Sequence, residues 1–159
     1  IVNLVGYIDN KSYQNFTIES IIKTIKINSI APIFIQRSLL GNMIKNKFGR
    51  IWNISSIGVK YGGSNFWFSY SFSKKSLEYF PKYLKSITKY NILNNVLRIG
   101  FTKTKMMNKV RSKNIKERVS LIPINRMANV KEVSDVIFNL ASEKNTYISG
   151  ETITIAGGE

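Results

Sequence analysis

Apolar and polar residues follow two alternating patterns along this chain, which predict strands and helices in turn. Short apolar runs typical of buried strands occur at residues 1–6, 50–55, 92–98 and 152–155. Apolar residues recur at helical spacing in residues 16–27, 28–47, 67–89 and 130–141, with looser helical stretches in residues 102–126. Thr17 is a candidate cap for the first helix, and Gly49 is a candidate stop for the second.

Strands that alternate with helices of this length predict a parallel sheet covered by helices on both faces. The predicted fold class is therefore α/β. The sequence contains no internal repeat and no Pro-, Gly- or Ser-rich linker, which indicates a single domain. Ligands of such sheets bind beyond the carboxyl ends of the strands. The residues to examine are those at 3–6, 55–56 and 99–104, which are rich in small and hydroxyl-bearing side chains.

The charge adds one alternative to this picture. The 159 residues include 24 Lys+Arg and 9 Asp+Glu, a formal net charge of +15. Such a charge is typical of nucleic-acid binding, which would show steep salt dependence. The lysines are scattered without a long basic run, so we favour a solvated basic surface and do not expect nucleic acid as a partner. We expect no membrane span, because Arg37 interrupts the best candidate at residues 27–44.

The chain contains no Cys and no His, which excludes disulfides, Cys/His zinc sites and triads of the Ser-His-Asp type. Acid–base chemistry is left to Tyr, Lys and the few carboxylates. Tyr70 and Lys74 are four residues apart on a predicted helix and so share one face. We expect the Lys74 ammonium to lower the pKa of Tyr70, so that the phenol exchanges a proton near neutral pH. Ser56, at the end of the preceding strand, would hold the reacting oxygen.

These residues belong to an ordered series of motifs that resembles the short-chain dehydrogenase/reductase (SDR) family. The segment 49–56 resembles the strand that ends in the family's active-site Ser, and residues 70–74 form its Tyr-x-x-x-Lys motif. Asn28 falls where the family places an Asn of the proton relay. Residues 95–100 with Thr104 resemble the strand and turn beside the nicotinamide, and residues 122–127 and 147–158 resemble the closing segments.

The resemblance implies a Rossmann-like doubly wound sheet and hydride transfer between NAD or NADP and a carbonyl/alcohol pair. The catalytic residues it implies are Asn28, Ser56, Tyr70 and Lys74. The cofactor-binding residues it implies are Asn3, Gly6, Tyr70, Lys74, Ile99, Gly100, Thr102 and Thr104. It further implies a cytoplasmic enzyme that forms a homo-oligomer, a dimer or tetramer, through the two long helices at 28–47 and 67–89.

Among substrates, the resemblance favours 3-oxoacyl thioesters on acyl carrier protein, and a basic surface would suit an acidic carrier. Other small-molecule substrates remain open, because the specificity-determining residues would lie after Ser56 and in residues 106–121. The alternative function is a non-catalytic scaffold or binding module, in which Tyr70 and Lys74 could be replaced without effect.

The chain departs from the family pattern in three places. The family's Asn-Asn-Ala-Gly turn is Asn3-Leu4-Val5-Gly6 here, and Ile99 replaces a Pro. No glycine-rich dinucleotide fingerprint precedes a helix anywhere in the sequence. We therefore expect residues 1–159 to be the C-terminal two-thirds of a single SDR domain without the first βαβ units, and inactive alone. The choice between NAD and NADP stays open.

Overall fold

The computed structural model describes residues 1–106 and 115–159. Its sheet has four parallel strands within these ranges, in the spatial order β1-β2-β3-β4. The strands are β1 (Val2–Asn3), β2 (Gly49–Ser56), β3 (Ile92–Ile99) and β4 (Thr152–Ile155). The parallel sheet confirms the predicted α/β class. Ser56 pairs with Ile99, so β2 and β3 end side by side.

Six helices flank the sheet in the described part of the chain. They are α1 (Ile18–Ile25), α2 (Ala31–Lys45), α3 (Phe68–Ser76), α4 (Lys82–Ser86), α5 (Ile115–Ser120) and α6 (Val130–Ala141). A π-helical turn, Lys26–Ile30, joins α1 to α2. The Thr17 hydroxyl accepts from the Ser20 amide, and the Ser20 hydroxyl accepts in return from the Thr17 amide, which confirms the predicted cap. No helix in the described ranges has the length and apolar character needed to cross a bilayer.

The single helix predicted for residues 67–89 is wrong. Helix α3 ends at Ser76, and α4 begins at Lys82 after Pro81, whose backbone is extended. Proline lacks an amide hydrogen and disfavours helical geometry in the residue before it, so a continuous helix through position 81 would lose hydrogen bonding and meet steric conflict. The periodicity of apolar residues continues across this break, which is why the pattern suggested one helix.

The sheet separates two hydrophobic clusters. On one face Ile51 and Ile92 pack with Leu40 of α2 and Ile87. On the other face Trp52, Ile54 and Leu97 pack against α6, and the Trp52 indole donates to the Leu140 carbonyl at 3.0 Å. Both faces are therefore covered by helices, as predicted. Burial of these side chains fixes the strands, and thereby the positions of the residues at their carboxyl ends.

Candidate active site

The end of β2 and the beginning of α3 bring Ser56 and Tyr70 together. Ser56 is the last residue of β2, and its hydroxyl accepts from the Gly58 amide at 3.3 Å. Burial raises the pKa of the Tyr70 phenol above its usual value of 10, and a hydrogen bond with the Ser56 side chain partly offsets this rise. Tyr70 therefore holds its proton at neutral pH and presents it beside a second hydroxyl.

Lys74 lies one turn further along α3 and is almost completely buried, with 2% of its surface exposed. Its Nζ donates to the carbonyls of Val5 at 2.7 Å and Ile54 at 2.8 Å. The same atom lies 5.9 Å from the centre of the Tyr70 ring. Burial lowers the pKa of Lys74 from 10.5 to about 8. One buried amine thus ties α3 both to the end of β2 and to the turn that follows β1.

The structure corrects the expected electrostatic relation between Tyr70 and Lys74. The pKa of Tyr70 is raised rather than lowered, because removal of the phenolate from water outweighs the favourable contacts. The Lys74 ammonium donates two hydrogen bonds to backbone carbonyls rather than to the Tyr70 phenol. The sequence spacing correctly placed both side chains on one face of a helix, but it gave no measure of how deeply each is buried.

Asn28 lies in the π-helical turn and is fully buried. Its Nδ2 donates to the Tyr7 carbonyl at 2.8 Å and to Ser73 Oγ at 2.9 Å, and its Oδ1 accepts from the Tyr7 amide at 2.7 Å. Asn28 therefore links the segment after β1 to α3 at the residue that precedes Lys74. Its role in a proton relay stays a prediction.

The Asn3 side chain is hydrogen-bonded within the protein. Its Nδ2 donates to Asn53 Oδ1 at 2.8 Å, and the same oxygen accepts from Gln36 Nε2 at 2.5 Å. All three residues are buried. The Asn3 amide nitrogen is thus bound within the protein, and the cofactor contact of Asn3 stays a prediction. Sequence reasoning missed Asn53 and Gln36, although an Asn inside an apolar strand was a visible signal.

The other predicted cofactor residues lie after β1 and β3. Gly6 closely approaches Met106, because a β-carbon on Gly6 would lie 3.0 Å from Met106 Cε. The Ile99 side chain packs into the core on the α6 face of the sheet. Thr102 forms a bridge with Ala128, and its hydroxyl donates to the Gly100 carbonyl at 3.0 Å. Thr104 is exposed. The segment predicted to carry specificity, residues 106–121, includes residues 107–114, which lie outside the described ranges.

The glycine loop after β2 is held against α3 by close packing at Gly63. Gly62 and Gly63 both have positive φ, of 76° and 77°. A β-carbon on Gly63 would collide with the Ser71 side chain, whereas one on Gly62 would meet open space. The Gly63 amide also donates to the Gly58 carbonyl at 2.6 Å. Gly63 is therefore required both by its backbone conformation and by its contact with α3.

This difference gives a test with a matched control. We expect Gly62→Ala to cost about 1 kcal/mol of unfolding free energy from backbone strain alone, and Gly63→Ala to cost about 1 to 3 kcal/mol more. Urea denaturation of the two variants measures the difference. The double variant Gly63→Ala/Ser71→Ala should recover part of the additional loss. Equal costs for the two single variants would contradict the packing argument.

The family model described as enoyl-(acyl carrier protein) reductase matches residues 1–159. The chain belongs to the short-chain dehydrogenase/reductase family.

Among its relatives, the chain is 33% identical over 157 residues to a 3-oxoacyl-(acyl-carrier-protein) reductase of Buchnera aphidicola, covering 98% of this chain and 61% of the relative. It is 32% identical over 162 residues to an acetoacetyl-CoA reductase of an Acinetobacter strain, covering 99% of this chain and 64% of the relative. The crystal structure of a 3-oxoacyl-(acyl-carrier protein) reductase from Brucella melitensis superposes with a TM-score of 0.87 at 24% identity, over 97% of this chain and 60% of that one. This superposition supports the fold, and the chain spans less than two thirds of the length of each of these proteins.

Proposed function

We propose that these residues form the catalytic part of an NAD(P)-dependent oxidoreductase that interconverts a carbonyl and a secondary alcohol. The observation that carries the proposal is the contact between the Tyr70 phenol and Ser56, with Lys74 one helical turn away. A protonated phenol beside a hydroxyl is suited to bind a carbonyl oxygen and to protonate it. The wider site at the strand ends would be completed by Asn28 as a positioning residue behind α3.

In the reducing direction, Tyr70 acts as the general acid. Its raised pKa keeps the phenol protonated at neutral pH, and Ser56 orients the substrate oxygen toward it. As the carbonyl carbon is reduced, the oxygen gains negative charge and takes the phenolic proton. The buried Lys74 ammonium then stabilises the negative charge of the phenolate. In the oxidising direction the proton moves from the alcohol back to Tyr70.

The residues present fit a nicotinamide cofactor. An ammonium group has three N–H donors, and Lys74 gives two of them to carbonyls, so a third is left to meet a ribose hydroxyl. When bound, NAD or NADP supplies or accepts the hydride. By resemblance, the backbone around Thr102 would hold the carboxamide, Thr104 would lie near the phosphates, and the turn from Asn3 to Gly6 with Ile99 and Gly100 would line the nicotinamide.

For the substrate we favour a 3-oxoacyl thioester on a carrier protein. The names of the relatives support this class, since they are reductases of 3-oxoacyl-(acyl-carrier-protein) and acetoacetyl-CoA. The net charge of +15 also suits an acidic carrier. On the same analogy, we propose a cytoplasmic enzyme.

We also propose a homo-oligomer that forms through the helices. Several apolar side chains of α1, α2 and the turn between them are exposed, namely Ile18, Ile22, Ile30, Ile33, Phe34 and Leu39. Further exposed aromatic residues lie on and after α3, namely Phe72, Tyr79 and Tyr83. Burial of such a surface against a second copy would remove a large apolar area from water.

The assay that tests the function compares two polypeptides. A form that joins these residues to a dinucleotide-binding segment should oxidise NADH or NADPH in the presence of a 3-oxoacyl thioester. The 159-residue polypeptide alone should show no turnover, because its sequence lacks the glycine-rich turn that binds pyrophosphate at a helix N-terminus. Activity of the short form would contradict the second expectation. Failure of the longer form on thioesters and on simple ketones would contradict the proposed function.

A further inference from the structure

A single carboxylate, that of Glu78, joins three elements next to the candidate active site. Its side chain is only 6% exposed. Oε1 accepts from Ser55 Oγ at 2.9 Å and from Arg98 Nε at 3.0 Å. Oε2 accepts from Arg98 Nη2 at 2.8 Å and from Lys75 Nζ at 2.9 Å. The Arg98 contact therefore uses both oxygens, which fixes the relative orientation of the two side chains.

Each of these partners lies beside a residue of the site. Ser55 precedes Ser56 at the end of β2, and its Oγ also lies 3.3 Å from the Lys74 carbonyl oxygen. Arg98 precedes Ile99 at the end of β3. Glu78 follows the last turn of α3, which carries Tyr70 and Lys74. The carboxylate thus connects the ends of both strands to the helix that carries the acid–base pair.

The ion pair is well suited to hold these elements at fixed distances. Burial works to raise the pKa of Glu78, but the hydrogen bonds from Arg98, Lys75 and Ser55 outweigh it and leave the pKa below its usual value. Glu78 is therefore charged at neutral pH. The Arg98 side chain is 18% exposed, so the pair is largely shielded from competing water. Long, flexible ion pairs at open surfaces lack this restraint.

Arg98 directly precedes Ile99, the last residue of β3, and Gly100, which follows the strand. We propose that the ion pair of Glu78 and Arg98 positions the end of β3, with Ile99 and Gly100, against the helix that carries Tyr70 and Lys74. Its effect on catalysis rests on the proposed function, whereas its effect on geometry does not. Glu78 and Arg98 are therefore both positioning residues.

The geometric part is tested on Lys74 in the 159-residue chain. Competitive acetylation followed by mass spectrometry gives the titration midpoint of the Lys74 amine. In Arg98→Ala, α3 should loosen from the strands and admit water around Lys74, so the midpoint should rise by about one pH unit toward its ordinary value. Arg98→Lys keeps the charge without the two-point geometry and should give a smaller rise. This variant decides the question if Arg98→Ala fails to fold.

The matched control is Leu40→Ala, which removes core packing at the opposite end of the sheet, where Leu40 meets Ile51, Ile87 and Ile92. It should lower the melting temperature and leave the Lys74 midpoint unchanged. The proposal is overturned if both Arg98 variants titrate like the unaltered chain, or if Leu40→Ala shifts the midpoint equally.

The catalytic part uses the longer form with its dinucleotide-binding segment. Arg98→Ala should reduce kcat by about tenfold to a hundredfold with a smaller change in KM, because the reacting groups are displaced while substrate contacts remain. Leu40→Ala should leave kcat unchanged at a temperature where it is folded. A kcat that is unchanged in Arg98→Ala overturns the catalytic part. If the unaltered longer form has no turnover, the proposed function fails, and the acetylation result still decides the geometric part.

Discussion

Replacement of Tyr70 by Phe should reduce kcat for carbonyl reduction about a thousandfold, with cofactor affinity nearly unchanged. The variant keeps the aromatic ring and removes only the hydroxyl that meets Ser56. A positioned acid contributes about 10² to 10⁴ in rate, so loss of this phenol removes most of the proton-transfer catalysis. Steady-state kinetics of the longer form, with cofactor binding followed by fluorescence, would measure both effects.

Tyr79→Phe is the matched control for this prediction. It removes the same atom from a tyrosine that is exposed shortly after α3. Its kinetics should match those of the unaltered protein. Retention of full activity in Tyr70→Phe would contradict the assignment of the acid and favour the alternative of a non-catalytic scaffold on the same fold.

Much of the fold followed from the sequence because burial leaves a local pattern. The strands at 50–55 and 92–98 are short segments rich in Ile, Leu, Val and Trp, and the structure extends each by only one or two residues. The helix at 130–141 and the strand at 152–155 were predicted with the bounds observed. The break before Pro81 was missed, since proline affects backbone geometry without altering the spacing of apolar residues.

The candidate site was predictable only in part. Residues that are near in sequence, such as Tyr70 and Lys74, were correctly placed on one helix face. Contacts between distant residues left no local pattern, so the ion pair of Glu78 and Arg98 was missed. The signal available was Arg98 as the one charged residue of the strand and Glu78 as the one acidic residue of the segment 67–89. The raised pKa of Tyr70 was also missed, because it depends on the depth of burial in the folded chain.

The burial of Lys74 predicts an unusual dependence of stability on pH. The pKa of this amine is about 8 in the folded chain and 10.5 as its ordinary value, which we take for the unfolded chain. Between these values the unfolded state binds more protons than the folded state, so the free energy of unfolding rises with pH. The contribution of neutral Lys74 to the free energy of unfolding is fully present above pH 10.5 and is lost as the pH falls to about 8. The difference in pKa corresponds to at most about 3 kcal/mol.

Lys74→Met should remove this rise. Methionine fills a similar volume without a charge, but it leaves the carbonyls of Val5 and Ile54 without their donor, at a cost of about 1 to 3 kcal/mol each. The variant should therefore be less stable than the unaltered chain, with a gap that is widest near pH 10 and narrows toward pH 8. Urea denaturation of both proteins between pH 7 and 10 would measure the gap. Lys82→Met, at an exposed lysine of α4, corrects for the change in net charge.

Parallel stability curves for the unaltered chain and Lys74→Met between pH 8 and pH 10 would contradict the prediction. If the stability difference between the two proteins narrows as the pH falls toward 8, the charged form of Lys74 destabilises the fold at neutral pH. A buried amine with that effect gives no stability advantage over an apolar side chain except through its two hydrogen bonds. The Lys74 Nζ lies 5.9 Å from the centre of the Tyr70 ring. The role of the Lys74 charge would then be to stabilise the Tyr70 phenolate, which forms where water does not supply a counter-charge.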